Sequence, residues 1–171
     1  MSLSYRLATA ADGPAAAAMG RRCFDETFGA HFPADDHALH LDRMFGPDGL
    51  PAELADPRVR VMLAEEDGAI AAYLKLVPMT LPVDHPPGAL EIKQLYVLAP
   101  WQGAGVAQEL MRWAIETARG DGAPALLLSV WEGGERARAF YARQGFAVVG
   151  YAPFTLGSRV YQDPVMRLDL E

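Results

Sequence analysis

The sequence predicts a mixed α/β layer fold in a single domain, residues 1–171, and three observations support this. Stretches with the two-residue alternation of strands and stretches with helical spacing follow one another along the chain. Their order is strand, helices, three strands, helix, strand, helix, two strands. Glycine and proline mark most of the junctions. Half of the 171 residues (51%) are hydrophobic, so a chain of this size can bury a core without help.

The N-terminal third predicts one short strand and three helical pieces. The strand is Tyr5–Ala8, and Thr9 or Asp12 caps a first helix that runs to about Phe28, where Gly29 stops it. A second helical piece begins near Asp35–Asp36 and ends at Gly46-Pro47, and a third is short. The candidate core residues of the second piece are Leu39 and Phe45. The third piece is Leu50–Ala55.

The middle of the chain predicts three strands. Arg58–Glu65 and Ala69–Val77 flank Glu66-Asp67-Gly68, a hairpin turn because Asp-Gly tolerates positive φ angles. A proline-rich loop, Pro78 to Pro87, leads to Leu90–Leu98, the most strand-like stretch of the chain. Strict alternation along that strand assigns four residues to one face, namely Glu91, Lys93, Leu95 and Val97, and four to the other, namely Ile92, Gln94, Tyr96 and Leu98.

The C-terminal part predicts two helices and three strands. A helix begins near Gly105, with an apolar face that recurs every four residues, and ends at Gly120 to Gly122. Ala125–Trp131 has the apolar composition of a central strand. A further helix and a closing antiparallel pair of strands complete the order, with predicted bounds Glu135–Gln144, Phe146–Thr155 and Val160–Leu170.

Composition and charge exclude several classes of protein. The net charge of −7 argues against a nucleic-acid partner, which needs clustered Lys and Arg. No run of 18 apolar residues is present, so we expect no membrane span, and the N-terminus lacks the pattern of a secretory signal. The single cysteine, Cys23, excludes an internal disulfide and a cysteine-based zinc site. A cytoplasmic location is therefore expected.

The negative charge is concentrated in residues 25–56. That segment holds eight acidic residues and one basic residue, Arg43, so it carries −7 by itself. It is either a solvated helical surface or a field that attracts a cationic substrate. Within it, His37 and His40 have a helical spacing that can hold a metal, but the polar start of a helix explains them as well. We predict no metal site.

The junction at residues 102–107 predicts an anion site. A strand ends at Pro100, a turn with Gly103 and Gly105 follows, and an amphipathic helix begins. Such a turn leaves backbone N–H groups unpaired at the positive end of a helix dipole, which suits a phosphate or diphosphate. The Gly-Lys-Ser/Thr of nucleotide hydrolases is absent, and the third glycine of a dinucleotide fold is replaced by Gln108. An ordinary strand-to-helix turn explains the two glycines equally well.

A second stretch, together with the first, carries a family resemblance. Gln102-Gly-Ala-Gly105-Val-Ala107 matches the Gln/Arg-x-x-Gly-x-Gly/Ala loop of the GNAT superfamily of acyl-CoA-dependent N-acetyltransferases. Ala139-Phe-Tyr141-x-x-x-Gly145-Phe146 matches its second signature, although alone these aromatics would be taken for core. The chain resembles this superfamily over its whole length. The resemblance implies a mostly antiparallel sheet with helices on both faces, splayed between the fourth and fifth strands.

The resemblance also implies a co-substrate site for acetyl-CoA. Backbone groups of Leu95, Tyr96 and Val97 would hold the pantetheine amides, and one N–H there would polarise the thioester carbonyl. The diphosphate would be held by Gln102, Gly103, Ala104, Gly105, Val106 and Ala107. The family often has Asn at the position of Gly134, which contacts the pantetheine or the substrate side. Here that contact is lost or made by a neighbour such as Glu132 or Glu135.

Two residues are predicted to move protons. In the family's mechanism a neutral amine attacks the thioester directly in a ternary complex, so an ammonium substrate must first lose a proton. Glu91, on the strand that enters the site, is the candidate base, with a solvated strand residue as the alternative. Tyr141 is expected to protonate the departing thiolate. Cys23 is expected to belong to the core, and Trp101 and Trp131 either to the core or to the cofactor mouth.

A closer resemblance suggests the acceptor. Phe24-Asp-Glu-Thr-Phe28, Tyr73-Leu-Lys-Leu76, Ile92-Lys-Gln-Leu-Tyr-Val97 and Ser129-Val-Trp-Glu132 are similar to the bacterial spermidine/spermine N-acetyltransferases. That branch agrees with the acidic segment, and it makes Asp25 and Glu26 candidate substrate-binding residues. The alternatives are a protein N-terminus, a lysine or an antibiotic amine as acceptor, or a CoA-binding regulatory module without catalysis. A homodimer is possible, because terminal strands of this family often pair between subunits.

Overall fold

The computed structural model describes residues 2–171 as one seven-stranded sheet with five helices. The strands are β1 (Ser4–Leu7), β2 (Arg60–Glu66), β3 (Ala69–Pro78), β4 (Leu90–Val97), β5 (Ala125–Ser129), β6 (Ala147–Leu156) and β7 (Arg159–Asp169). The helices are α1 (Gly13–Phe28), α2 (Ala34–Phe45), α3 (Leu50–Glu53), α4 (Val106–Gly120) and α5 (Glu135–Arg143). None of the helices in this part of the chain is long and apolar enough to cross a bilayer.

The sheet confirms the predicted fold class. Its strand order is β1-β2-β3-β4-β5-β7-β6, and every neighbouring pair is antiparallel except β4 and β5. Those two strands run parallel but pair only at Leu90 with Leu126 and at Glu91 with Leu127. Beyond Glu91 they separate, which is the predicted splay. The closing pair β6–β7 is present, but β7 lies between β5 and β6, so β6 forms the edge.

Two hydrophobic layers cover the sheet. The α4 face packs the apolar side of α4 against strand residues that include Leu74, Leu76, Leu126 and Leu128. On the opposite side, the α1 face packs α1, α2 and α3 against Leu63 and Tyr73. Loop 78–89 covers the rest of that side through a smaller cluster with Leu127 and Val165. The alternation of β3, where Tyr73 faces α1 and Leu74 faces α4, follows from the pleat of a strand.

The hairpin turn forms as predicted. Asp67 and Gly68 both have positive φ angles, 52° and 79°, which a two-residue turn between twisted strands requires. The other bounds shift by a few residues: β2 begins at Arg60 and α3 ends at Glu53. Such shifts are expected where no cap or glycine defines the end of an element.

Two predictions about side-chain direction are wrong. Leu39 is 64% exposed, whereas His37, Leu41 and Phe45 are buried at intervals of four residues on α2. Because successive helical residues turn by about 100°, Leu39 lies almost opposite that buried stripe. In α2, therefore, Leu41 and Phe45 form the core contacts.

The predicted faces of β4 are the second error. Gln94 pairs with Lys75 and Ile92 with Leu76, so Lys93 is an extra residue, a β-bulge, in β4. The bulge resets the alternation. Ile92 and Leu95 therefore both pack on the α4 face, while Tyr96 packs on the α1 face. Glu91 consequently faces the same side as Tyr96, not the side of Leu95.

Candidate active site

The bend after β4 has the geometry of an anion cradle. Gly103 and Gly105 have φ angles of 78° and 82°, and both face open space at the start of α4. Residues 102–105 are exposed, and the first N–H groups of α4 have no partner inside the helix. A side chain at either glycine would be strained, although the space around it is open. The residues present therefore fit a diphosphate.

Gln102 ties this bend to the end of β4. Its Nε2 donates to the carbonyl oxygen of Val97 at 2.9 Å, and its own backbone N–H donates to Ala99. The thiol of Cys23 also donates to Val97 O, at 3.6 Å. Burial raises the pKa of Cys23 to about 11, so the thiol stays protonated at neutral pH. Cys23 is therefore a buried core residue, as expected, and a poor nucleophile.

The separation of β4 and β5 brings the predicted pantetheine residues to an open edge. Leu95, Tyr96 and Val97 follow the last pair that β4 makes with β5, so their β5-facing edge takes no strand partner in the described chain. An extended ligand can add to such an edge as a strand would. The bend at 102–107 continues directly from this edge. The structure thus brings the predicted cofactor residues of β4 and of the bend together, while the other two, Gly134 and Tyr141, come from the segment after β5.

Tyr141 reaches the same region from α5. Its ring packs against Phe140 and Phe146, with centroids 5.4 and 6.0 Å apart, at the border of the α4-face core. Burial raises the pKa of Tyr141 to about 12, so the phenol is protonated at neutral pH. The pKa of Tyr96 is also raised, first by burial and then by the Cys23 thiol and the Tyr141 phenol. The effect of the Tyr141 phenol on the Tyr96 pKa is consistent with Tyr141 lying on the side of α5 that is directed to β4.

Gly134 begins α5 in close contact with the preceding turn. Its N–H donates to Trp131 O at 2.8 Å, and an added Cβ would lie 3.0 Å from that oxygen and 3.1 Å from Val130 Cγ1. The neighbouring Gly133 lies flat against the Trp131 indole. Glu132, one of the predicted substitutes, accepts instead from the backbone N–H of Gln162 on β7, at 3.0 Å. Its carboxylate is therefore directed to β7.

Glu91 is buried at the vertex of the opening. It is 2% exposed, which excludes the alternative of a solvated strand residue. Its Oε1 accepts from the backbone N–H and the hydroxyl of Thr80, at 2.9 and 2.7 Å, and its Oε2 lies 3.4 Å from Lys93 Nζ. Glu91 therefore connects loop 78–89 to β4 through Oε1, which accepts two hydrogen bonds. Its Oε2 has only the longer contact with Lys93.

The predicted substrate-binding acids are exposed on α1 and already have partners. Asp25 Oδ1 lies 2.9 Å from His37 Nε2, and Glu26 Oε1 lies 2.7 Å from Arg22 Nε. Three more acids of segment 25–56 form ion pairs, namely Asp42 with Arg21, Asp56 with Arg58 and Glu53 with Lys75. The field of this segment is weaker than its formal charge suggests. The His37 ring stacks on Phe24 and the His40 ring packs against it at a tilt, and no metal-like group of three ligands occurs within residues 2–171.

An aromatic cluster and a buried carboxylate were not predicted. Phe32, from the loop between α1 and α2, packs within 6.5 Å of the rings of Phe24, Phe28, His37, Trp131, Phe154 and Tyr161. Beside Tyr161, at the next inward position of β7, Asp163 is buried and its Oδ1 accepts from Glu132 N at 3.0 Å. Burial, with a smaller effect of Glu132, raises the pKa of Asp163 to about 6. No sequence motif surrounds Asp163, because its partners come from distant segments.

The comparisons with known proteins agree with this geometry. The family model described as "Acetyltransferase (GNAT) family" matches residues 20–146. An uncharacterized N-acetyltransferase of the pepI 3′ region of Lactobacillus delbrueckii subsp. lactis is 33% identical over 147 residues, 85% of each chain. An aminoalkylphosphonate N-acetyltransferase of Salmonella typhimurium is 35% identical over 106 residues, 62% of this chain and 68% of that one.

A solved structure shows the same fold. PaiA N-acetyltransferase from Thermoplasma acidophilum, in complex with coenzyme A, superposes with a TM-score of 0.81 at 17% identity, over 99% of this chain and 100% of that one. At this identity the likeness concerns the fold alone. The family model and the relatives carry the assignment: the chain belongs to the GNAT acetyltransferase family and is an N-acetyltransferase.

Proposed function

We propose that this protein transfers the acetyl group of acetyl-CoA to a primary amine, and that the amine is a polyamine such as spermidine or spermine. The observation that carries the acetyl-CoA part is the open edge of β4 running into the glycine cradle at 102–107. Acetyl-CoA supplies an activated acetyl group as a thioester. Everything else in the reaction is positioning and proton transfer by residues of this chain.

The backbone of this chain would hold the cofactor. Leu95, Tyr96 and Val97 would pair with the pantetheine amides, and an N–H among them would bind the thioester oxygen. The diphosphate would lie on the backbone between Gly103 and Ala107, where free N–H groups and the helix dipole favour an anion. Because Gln102 already binds Val97 O, its side chain would shape the bend instead of contacting the diphosphate.

Tyr141 and Glu91 would handle the protons. A phenol with a raised pKa is protonated at neutral pH, which is the form that can protonate the departing thiolate. Glu91, with Oε1 held by Thr80, would accept the proton of the attacking amine, directly or through water, at Oε2. Its position at the vertex of the opening, on the same side as Tyr96, supports this role.

The acceptor would approach from the α1 face. There the aromatic cluster around Phe32 and the acidic segment that includes Asp25 and Glu26 offer surfaces that attract cations. The aminoalkylphosphonate relative favours a second candidate, an amine that carries an anionic group. Because acids outnumber free cations in segment 25–56, the polyamine is the better match.

An amine panel tests the proposal. The full chain is incubated with acetyl-CoA and spermidine, spermine, 2-aminoethylphosphonate, a peptide with a free N-terminus, or an aminoglycoside, and CoA release and product mass are measured. We expect release with spermidine and spermine. Reaction with another amine only would contradict the polyamine part. Calorimetric binding of acetyl-CoA without release across the panel would indicate a regulatory module, as the missing Asn at Gly134 would allow.

Three further properties belong to the proposal. They are a cytoplasmic location, a homodimer and the absence of a metal from the reaction. Size-exclusion chromatography with light scattering tests the homodimer. Turnover after dialysis against a chelator tests the metal.

A further inference from the structure

Asp163 is a buried carboxylate that the proposed chemistry does not use, and its place in the sheet sets it beside the opening. Ser129 of β5 pairs with Val165 of β7, and the bond from Val130 N to Pro164 O at 2.9 Å extends that ladder. Asp163 therefore lies level with Trp131. Counting from Glu91 and Leu127 past the bulge in β4, Tyr96 lies level with Trp131 as well.

Asp163 also faces the side from which the acceptor would approach. Tyr161 packs in the α1-face cluster and Val165 in the cluster under loop 78–89, whereas Met166 and Leu168 pack on the α4 face. Because side chains alternate along a strand, Asp163 points to the same side as Tyr161. Asp163, Tyr96 and Trp131 thus share one face of the sheet at one level.

The carboxylate of Asp163 lacks a cation. It is 6% exposed, and its single hydrogen bond within residues 2–171 comes from Glu132 N to Oδ1. Of the charged or titratable groups on the surrounding elements, Glu132 from the β5–α5 loop acts on Asp163, while His31 lies beside the Trp131 ring and Arg159 over the Tyr161 ring. None of these forms an ion pair with Asp163 in the described chain. A buried carboxylate with one backbone donor is poorly compensated, and a bound cation would correct that.

The distance between Asp163 and β4 indicates which kind of cation Asp163 would bind. β5 lies between β4 and β7, and neighbouring strands lie about 4.8 Å apart, so Asp163 is at least ~10 Å from the edge where the thioester would lie. The splay of β4 and β5 increases this distance. An amine that reacts at β4 cannot touch Asp163 at the same time. A second ammonium on the same molecule, several methylenes away, can.

Aromatic rings lie between the two positions. Trp131 follows β5 and packs against Phe28 and Phe32, and Phe32 packs against Tyr161. Gly133 leaves the space that the Trp131 indole occupies. Rings of this kind accommodate methylenes and attract ammonium groups through their faces. The surroundings between the two positions are therefore apolar, and the carboxylate of Asp163 lies at their far end.

We propose that Asp163 binds the non-reacting ammonium of the acceptor, and that it makes this enzyme selective for amines with a second positive charge. This inference rests on the proposed function, because it assumes amine acetylation at the β4 edge. Asp163 is a specificity-determining residue here and takes no part in proton transfer.

The variant Asp163→Asn tests the proposal. Asn keeps an oxygen that can accept from Glu132 N, so the β5–α5 loop keeps its tie, but the negative charge is lost. The kcat/KM values for spermidine, 1,8-diaminooctane and octylamine are compared, because the last two differ only in the second amine. We expect kcat/KM to fall at least tenfold for spermidine and the diamine, chiefly through KM, and less than twofold for octylamine. The matched control is Asp67→Asn, which removes the same charge from a remote, exposed turn.

Two outcomes would overturn the inference. The first is an equal loss for diamine and monoamine in Asp163→Asn, which would mean that Asp163 only holds the loop. The second is an unchanged affinity of the variant for spermidine in calorimetry. Calorimetry needs no turnover, so it tests Asp163 even if no amine is acetylated, an outcome that would instead contradict the proposed function.

Discussion

The proposed cofactor side and the proposed acceptor side of this molecule are built in different ways. The cofactor side consists of β4, the bend at 102–107 and the start of α4, which are contiguous in sequence, and it uses backbone groups. The acceptor side collects side chains from the α1–α2 loop, the β5–α5 loop and β7. Backbone cradles depend on φ angles that short motifs encode. Side-chain pockets depend on packing between separate segments, so their residues form no short sequence motif.

The largest effect is expected at Tyr141, the proposed general acid. Tyr141→Phe removes the phenolic proton but keeps the ring that packs on Phe140 and Phe146. We expect kcat to fall by about 10²–10⁴, the usual contribution of a general acid, with acetyl-CoA affinity nearly unchanged. Steady-state kinetics with calorimetry of acetyl-CoA measures both. Equal turnover in the variant would remove Tyr141 from the mechanism.

The next largest effect concerns the cofactor side alone. Gly105→Val puts a β-branched side chain at a φ of 82° on the edge of the cradle. We expect acetyl-CoA to bind roughly a hundredfold more weakly, equivalent to ~2.7 kcal/mol. Gly68→Val is the matched control, because Gly68 has a φ of 79° and equally open surroundings in the β2–β3 turn. A similar loss of affinity in both variants would assign the effect to backbone strain.

A variant of Glu91 tests whether this residue removes the proton of the attacking amine. Glu91→Gln keeps an oxygen for Thr80 but cannot accept a proton, so we expect kcat at pH 7 to fall by about 10²-fold. The deficit should shrink above pH 9, where more of the amine is already neutral. Thr80→Val, which removes only the hydroxyl contact, is the control for positioning. A deficit that stays constant with pH would make Glu91 a structural residue.

A smaller effect is expected on stability at Asp163. Its pKa of about 6 lies above the unfolded value of ~3.9, so the folded state holds its proton more tightly. Ionisation of Asp163 therefore lowers the free energy of unfolding as pH rises from about 4 to 6. We expect Asp163→Asn to melt a few degrees higher than the parent at pH 7.5 and at about the same temperature at pH 4. A lower melting temperature at pH 7.5 would indicate that the charge stabilises the fold.

The smallest effect concerns long-range attraction by segment 25–56. Because five of its eight acids already have partners, raising the salt from 0.05 to 0.5 M should increase the KM for spermine only about two- to threefold. The KM for acetyl-CoA should change less. A KM for spermine that does not respond to salt would make the segment ordinary solvated surface.

The difference between the two sides also sets how much the sequence could predict. The glycine turn at 103–105, the hairpin at 67–68 and the apolar stripe of α4 are local patterns, and all three form as predicted. The faces of β4 were predicted wrongly because the bulge at Lys93 arises from pairing with β3, which no local pattern reveals. Leu39 was misplaced because the orientation of α2 is set by α1 and β6.

The sequence alone determined the family, the order of the elements and the backbone cradle, because each depends on neighbouring residues and their φ angles. Only the tertiary structure decided that Glu91 is buried at the vertex, that Asp25 pairs with His37 of α2, and that Asp163 lies level with Trp131. These facts depend on strand register and on contacts between different elements of the fold. Burial and charge compensation are properties of such contacts, so no stretch of sequence contains them.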